Sequence, residues 1–131
     1  ATLLKLHLFE TVPPVQLAIR LLVPQGSHLM QLPDFAARVG AFDEAMLGYP
    51  WRADDPRVDA LQSDIMAWVM DAEKAALPRD EVFAGIWART HAALGETAPV
   101  LDPAQFGETI PHHSEPWYCC AEPTETQLTS F

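Results

Sequence analysis

Apolar residues recur at three- and four-residue steps through the middle of the chain. Val58, Leu61, Ile65, Trp68 or Val69, and Ala72 form a stripe that runs on towards Leu77, the pattern of an amphipathic helix with one buried face. Asp54 or Asp55 is placed to cap it and Pro56 to occupy its first turn. Pro78 stops it. Asp80 and Glu81 put negative charge at the start of a second helix, whose stripe is Val82, Phe83, Ile86, Trp87, Thr90 and Leu94, ended by Gly95. So short a connection predicts an antiparallel helix hairpin.

The pattern is less decisive upstream. Between Pro14 and Pro24, Leu17, Ile19, Leu21 and Val23 share a face in a strand, whereas Val15, Ile19 and Leu22 share one in a helix. Periodicity does not choose between them. Pro33 and Asp34 open a short helix towards Val39, with Gly40 at its end, and a second short helix is expected from Phe42 to Leu47, before Gly48 and Pro50. Tyr49, Pro50 and Trp51 read as an ordered loop that packs its aromatic rings. From Thr97 onward Pro99, Pro103, Pro111, Pro116 and Pro123 arrive with few apolar residues between them, which predicts an extended tail.

Composition narrows the function classes. The 131 residues carry 8 basic and 18 acidic side chains, a net charge of −10, with 49% hydrophobic residues. That supports a modest hydrophobic core and argues against intrinsic disorder. It also disfavours nucleic acid and anionic membrane surfaces as partners. The longest apolar runs, such as Leu17 to Val23, fall far short of the roughly 20 residues of a membrane span. No basic region followed by a long apolar stretch opens the chain, so no signal peptide is expected. The two cysteines, Cys119 and Cys120, are neighbours. A bridge between them closes almost no chain and cannot staple a fold, which makes a reducing, cytoplasmic setting the default.

Candidate chemistry concentrates in the tail. His112, His113, Glu115, Cys119, Cys120 and Glu122 lie within a dozen residues. Zinc accepts sulfur and imidazole ligands, but adjacent cysteines do not readily reach one tetrahedral centre. A redox role suits the pair better, because vicinal cysteines close a strained, easily reduced ring, with a protonated His112 or His113 lowering the thiol pKa. The plain alternative is two small sulfur residues that simply pack. Elsewhere His7, His28 and His91 stand apart, each read as structural. Arg20 is a partner for a carboxylate or phosphate, or half of a structural ion pair. Trp51, Trp68 and Trp87 read as core. No phosphate-cradling glycine loop, nucleophile elbow or HExxH motif occurs.

Trp117-Tyr118-Cys119-Cys120-Ala121-Glu122-Pro123-Thr124 resembles the tail for which the CUAEP/CCAEP-tail radical SAM (seleno)proteins are named. The segment from Pro14 to Ser27 is similar to the one that closes the barrel in cobalamin-binding-type radical SAM proteins. This resemblance implies that Gln16 to Val23 is a barrel strand and that Cys119 and Cys120 form a redox pair near a parent active site. The family's CxxxCxxC cluster motif is absent, as is a cobalamin-binding half. The iron–sulfur cluster, S-adenosylmethionine and cobalamin would therefore belong to a parent chain, with no cofactor held here.

The resulting expectation is a mainly α fold: residues 1–27 as the end of a barrel with one short strand, 28–96 as a helical domain with the central hairpin, and 97–131 as the tail. In function it would be a C-terminal accessory domain of a radical SAM oxidoreductase-like enzyme, covering the barrel and not catalytic alone. Its partners would be the missing N-terminal cobalamin-binding and radical SAM domains, or a second copy of the fragment, with no nucleic acid and no membrane. The competing reading is a non-enzymatic helical module whose apolar faces bind a protein partner. A small metal-binding protein is the third.

Overall fold

A computed structural model describes residues 1–8 and 10–106. Their regular elements are helical: α1 (Thr2–Lys5), a 3-10 turn over Pro14–Leu17, another over His28–Gln31, α2 (Pro33–Ala36), α3 (Pro56–Lys74), α4 (Arg79–Ala93) and a last 3-10 turn over Pro103–Gln105. The chain divides into two units, one of Ala1–Ala18 with the described residues from Ala60 onward, the other of Ile19–Asp59.

In the first unit α3 and α4 run antiparallel. Asp64 of α3 meets Arg89 of α4, while Trp68, one turn further along α3, donates its indole N–H to the Val82 carbonyl at the start of α4, at 3.0 Å. The stripes do the packing: Ile65, Val69 and Ala72 from α3 are buried, as are Val82, Phe83 and Ile86 from α4. Val58, the first stripe residue, faces solvent. Gly85 permits the close approach, since a β-carbon there would overlap the Trp68 ring. Leu4 and Phe83 form a second buried contact, against which Leu3, Leu17, Trp87, Leu101 and Phe106 pack.

Both helices end alike. After α4, the Glu96 N–H returns to the His91 carbonyl at 2.9 Å and the Gly95 N–H to Ala92 at 3.0 Å, with Gly95 at φ +73°. This is the Schellman arrangement, in which a left-handed residue lets the chain satisfy the last carbonyls. After α3 the same bonds run from Leu77 to Ala72 and from Ala76 to Glu73, both at 3.0 Å. Here the left-handed position, φ +52°, is held by Ala76.

The second unit is stitched by turns. Residues 38–40 meet residues 50–52 through Gly40 N–H to the Pro50 carbonyl (2.7 Å) and Arg52 N–H to the Arg38 carbonyl (3.1 Å). Val23 is fully buried, and its carbonyl accepts from the Tyr49 N–H at 2.8 Å. Gly48 packs closely on this segment: a β-carbon there would meet the end of the Leu22 side chain at 2.8 Å and the Val23 carbonyl oxygen at 3.1 Å, so both would have to shift to admit one. Phe42 packs edge-on against Tyr49, and Phe35 packs tilted against Trp51.

Two sequence expectations are corrected. The strand over Gln16–Val23, and with it the end of a radical SAM barrel, is absent: no strand exists among the described residues. Pro14 opens a 3-10 turn, in which Gln16 and Ala18 donate to the carbonyls of Pro13 and Val15. Beyond it, the Val23 carbonyl accepts the Tyr49 N–H, while the Leu21 carbonyl accepts the Trp51 indole N–H, a side-chain donor where a strand ladder would place a backbone one. The helix expected over Phe42–Leu47 is also replaced, by a turn closed between Asp43 and Gly48. The Asp43 carboxylate takes the N–H groups of Ala45 (2.8 Å) and Met46 (3.2 Å), a local bond that competes with helix formation.

Candidate functional site

The described chemistry gathers along one face of α4. Phe83, Trp87 and His91 follow at four-residue steps and stack along the helix. Phe83 and Trp87 lie with ring centroids 6.4 Å apart, and His91 meets Trp87 edge-on at 4.4 Å. The turn at Gly95 sends the chain back along this ladder. The Glu96 carboxylate comes within 3.1 Å of His91 Nδ1, and the Pro99 carbonyl accepts the Trp87 indole N–H at 3.0 Å. Leu101 then joins the Leu4–Phe83 cluster. Asp102 caps the following 3-10 turn by accepting the Ala104 N–H at 3.0 Å.

Between this returning segment and α1 lies a cleft of about 310 Å³, lined chiefly by Leu4, Lys5, Trp87, Pro99, Val100 and Leu101. Val100 at its rim is 97% exposed. The lining offers an indole face, aliphatic surface and the Lys5 ammonium group. Its chemistry is binding by apolar burial, with positive charge for orientation.

The second unit holds the other dense cluster. The Arg20 guanidinium pairs with Asp59 at 2.8 Å, donates to the Trp51 carbonyl and lies 4.4 Å over the Trp51 ring. Asp59 also accepts the Ala53 N–H, and the Trp51 indole donates to the Leu21 carbonyl at 2.9 Å. Of the two roles open to Arg20, the geometry is that of a structural ion pair: its partners are the chain's own groups, and they tie residues 20–21 to 51–59.

Asp55 caps α3. Its carboxylate accepts the Arg57 N–H at 2.9 Å and pairs with the Arg57 guanidinium, whose side-chain hydrogen bond, above all, holds the carboxyl below its usual range. Asp54 turns instead to Arg38 at 2.7 Å. In the first unit Arg79 donates to the Glu10 carbonyl, and burial lowers its pKa.

The residues singled out for redox or metal chemistry, Cys119 and Cys120 with His112 and His113, lie outside the described residues. Among those described, no three His, Cys, Asp or Glu side chains converge as a metal ion would require. Comparison of the chain with known protein families, with curated proteins and with solved structures finds no match. With neither a barrel strand nor a converging ligand set, the assignment to radical SAM, iron–sulfur and cobalamin chemistry is withdrawn. No described helix is long and apolar enough to cross a membrane.

The cleft was missed in the sequence. Its lining comes from three separated stretches, and Val100-Leu101 looks unremarkable in a proline-rich segment. The available signal was Trp87, a large ring four residues after Phe83 and one turn before the helix stop at Gly95.

Proposed function

We propose that this chain is a helical protein-interaction module whose cleft beside Trp87 receives an apolar side chain of a partner protein. The observation that carries the reading is Val100, almost wholly exposed at the rim of a cleft floored by an indole ring and aliphatic side chains. Isolated exposed apolar residues are ordinary on protein surfaces. Val100 differs because it extends a concave apolar lining, the geometry that buries a guest side chain efficiently. Covering a valine-sized surface on both partners contributes on the order of 1–2 kcal/mol, enough for one anchor of a transient interface. Leu6 and Leu94, both more than half exposed in the same unit, supply further apolar surface.

The test is a random-peptide selection against the immobilised full chain, with each selected peptide remeasured on Val100→Ser and on Leu47→Ser. Leu47 is a comparably exposed control in the other unit. Binding is expected to weaken about fivefold in Val100→Ser, equivalent to about 1 kcal/mol, and to be unchanged in Leu47→Ser. Selected peptides that are all indifferent to Val100→Ser would defeat the reading.

A further inference from the structure

Lys5 is the charged side chain of the cleft lining, which holds no carboxylate. Among the described residues its ammonium group has no ion pair and no hydrogen bond, whereas the other basic side chains of the first unit are all engaged: Lys74 with Asp71, Arg79 with the Glu10 carbonyl and Arg89 with Asp64. The two acids that bracket the returning wall are turned to other groups, Glu96 to the His91 ring and Asp102 to the Ala104 N–H. The carbonyls of residues 1–4 are each taken by a backbone N–H, and the Pro99 carbonyl by the Trp87 indole. One small space therefore combines apolar surface with an uncommitted positive charge, the complement of an apolar group that carries a carboxylate.

We infer that the occupant of the cleft is the C-terminal residue of a partner protein, with its apolar side chain seated against Trp87 and its main-chain carboxylate on Lys5. The inference rests on the interaction-module reading and names the part of the partner that the cleft takes. C-terminal carboxylates are a recurrent handle in peptide recognition, and size and geometry favour one here over an internal acidic residue. At about 310 Å³ the cleft stands at the lower end of the roughly 300–1,000 Å³ of ligand sites, room for one anchor. In an extended segment the side chains next to the anchor point to the opposite face, and the nearest on the same face lies about 7 Å along the chain. A terminal residue bears carboxylate and side chain on the same α-carbon and delivers both together. The net charge of −10 acts in the same direction: it repels a run of acidic residues, whereas a single carboxylate ending an otherwise neutral segment meets little of that repulsion.

Three N-acetylated peptides test it against the full chain: Ser-Ser-Ser-Leu-Phe as the free acid, the same sequence as the C-terminal amide, and Ser-Ser-Glu-Leu-Phe as the amide. The Trp87 indole N–H resonance follows the cleft directly, because that group is bonded to the Pro99 carbonyl. The free acid is expected to shift this resonance and to bind about fivefold more tightly than its amide, the upper end of what an exposed ion pair gives. The glutamate amide should bind like the plain amide. Lys5→Gln should lose most of the preference while the plain amide binds it unchanged, and Lys5→Arg should keep the preference. Equal affinity for free acid and amide would overturn the carboxylate inference and leave the interaction module standing. A glutamate amide as tight as the free acid would assign the charge to a side chain, and N-acetyl-phenylalanine as tight as the pentapeptide acid would make the cleft a site for small free acids; either overturns the partner terminus. So would a dimer of the chain in sedimentation that Val100→Ser dissolves, which gives the cleft to a second copy. Failure of every peptide to move the Trp87 resonance would overturn this occupant, and the independent selection on Val100→Ser then decides whether the module reading survives.

Discussion

Single residues at the two helix ends show how differently one geometric task can be filled. Gly95 adopts its left-handed conformation without penalty, because it has no β-carbon to crowd the following carbonyl. Ala76 performs the same task at φ +52° against a penalty of about 1–2 kcal/mol for an L-residue in that region. Ala76→Gly removes the penalty at the expense of a looser unfolded chain, so a net gain of about 0.5–1 kcal/mol is expected in urea unfolding of the full chain. A loss of stability would mean that the Ala76 methyl makes a compensating contact. Gly95 was legible in the sequence as a helix stop. Ala76 was not, since alanine is the strongest helix former, and the stripe accordingly seemed to run on to Leu77, three residues past the end of α3.

Among the elements, α3 and α4 stand where their stripes place them, because long periodic segments with proline and aspartate at the start carry several agreeing signals. The stretches 14–24 and 42–47 failed for reasons that periodicity does not carry: the Trp51 indole N–H takes the Leu21 carbonyl, and the Asp43 carboxylate folds back on the N–H groups of Ala45 and Met46. The start of α3 can be tested by pH. Asp55 carries a carboxyl pKa depressed chiefly by its hydrogen bond with Arg57. A carboxylate with a depressed folded-state pKa adds stability that is present above its unfolded value, about 3.9, and lost as pH falls through the lower folded value. Asp55→Asn keeps an acceptor for the Arg57 N–H and loses the charge pair. Its thermal midpoint should lie slightly below that of the parent chain at neutral pH, with the gap closing on acidification below about pH 3.9. Melts followed by circular dichroism from neutral pH downward check this; a gap that persists into strong acid would assign the loss to the cap geometry instead. The pair is exposed, so added salt should also narrow the gap.

For the molecule as a whole, the distribution of buried apolar side chains is lopsided. Among the described residues, nine of the ten buried hydrophobics belong to the first unit, and Val23 alone to the second. The second unit relies on turn hydrogen bonds and the Arg20–Asp59 pair. Local opening is easiest where few apolar contacts resist it. Amide hydrogen exchange should therefore be slowest over Ile65–Ala72 and Val82–Thr90 and at least about tenfold faster at Val23–Trp51; comparable protection in both would show that the turn network alone confers cooperative stability. The acidic balance was legible from composition. The two-unit division was not, because the second unit is inserted between segments of the first and no proline or glycine cluster separates it from α3. Nor was the cleft, which exists only once residues 96–101 fold back on α4.

The indole N–H groups of Trp51, Trp68 and Trp87 are each spent on the carbonyl of a different stretch, at Leu21, Val82 and Pro99. Each ring thus fastens a specific pair of segments, and its emission should change when that pair separates. Chains that retain one of these tryptophans at a time would convert intrinsic fluorescence into three separate clocks, one for the second unit, one for the helix hairpin and one for the returning wall of the cleft.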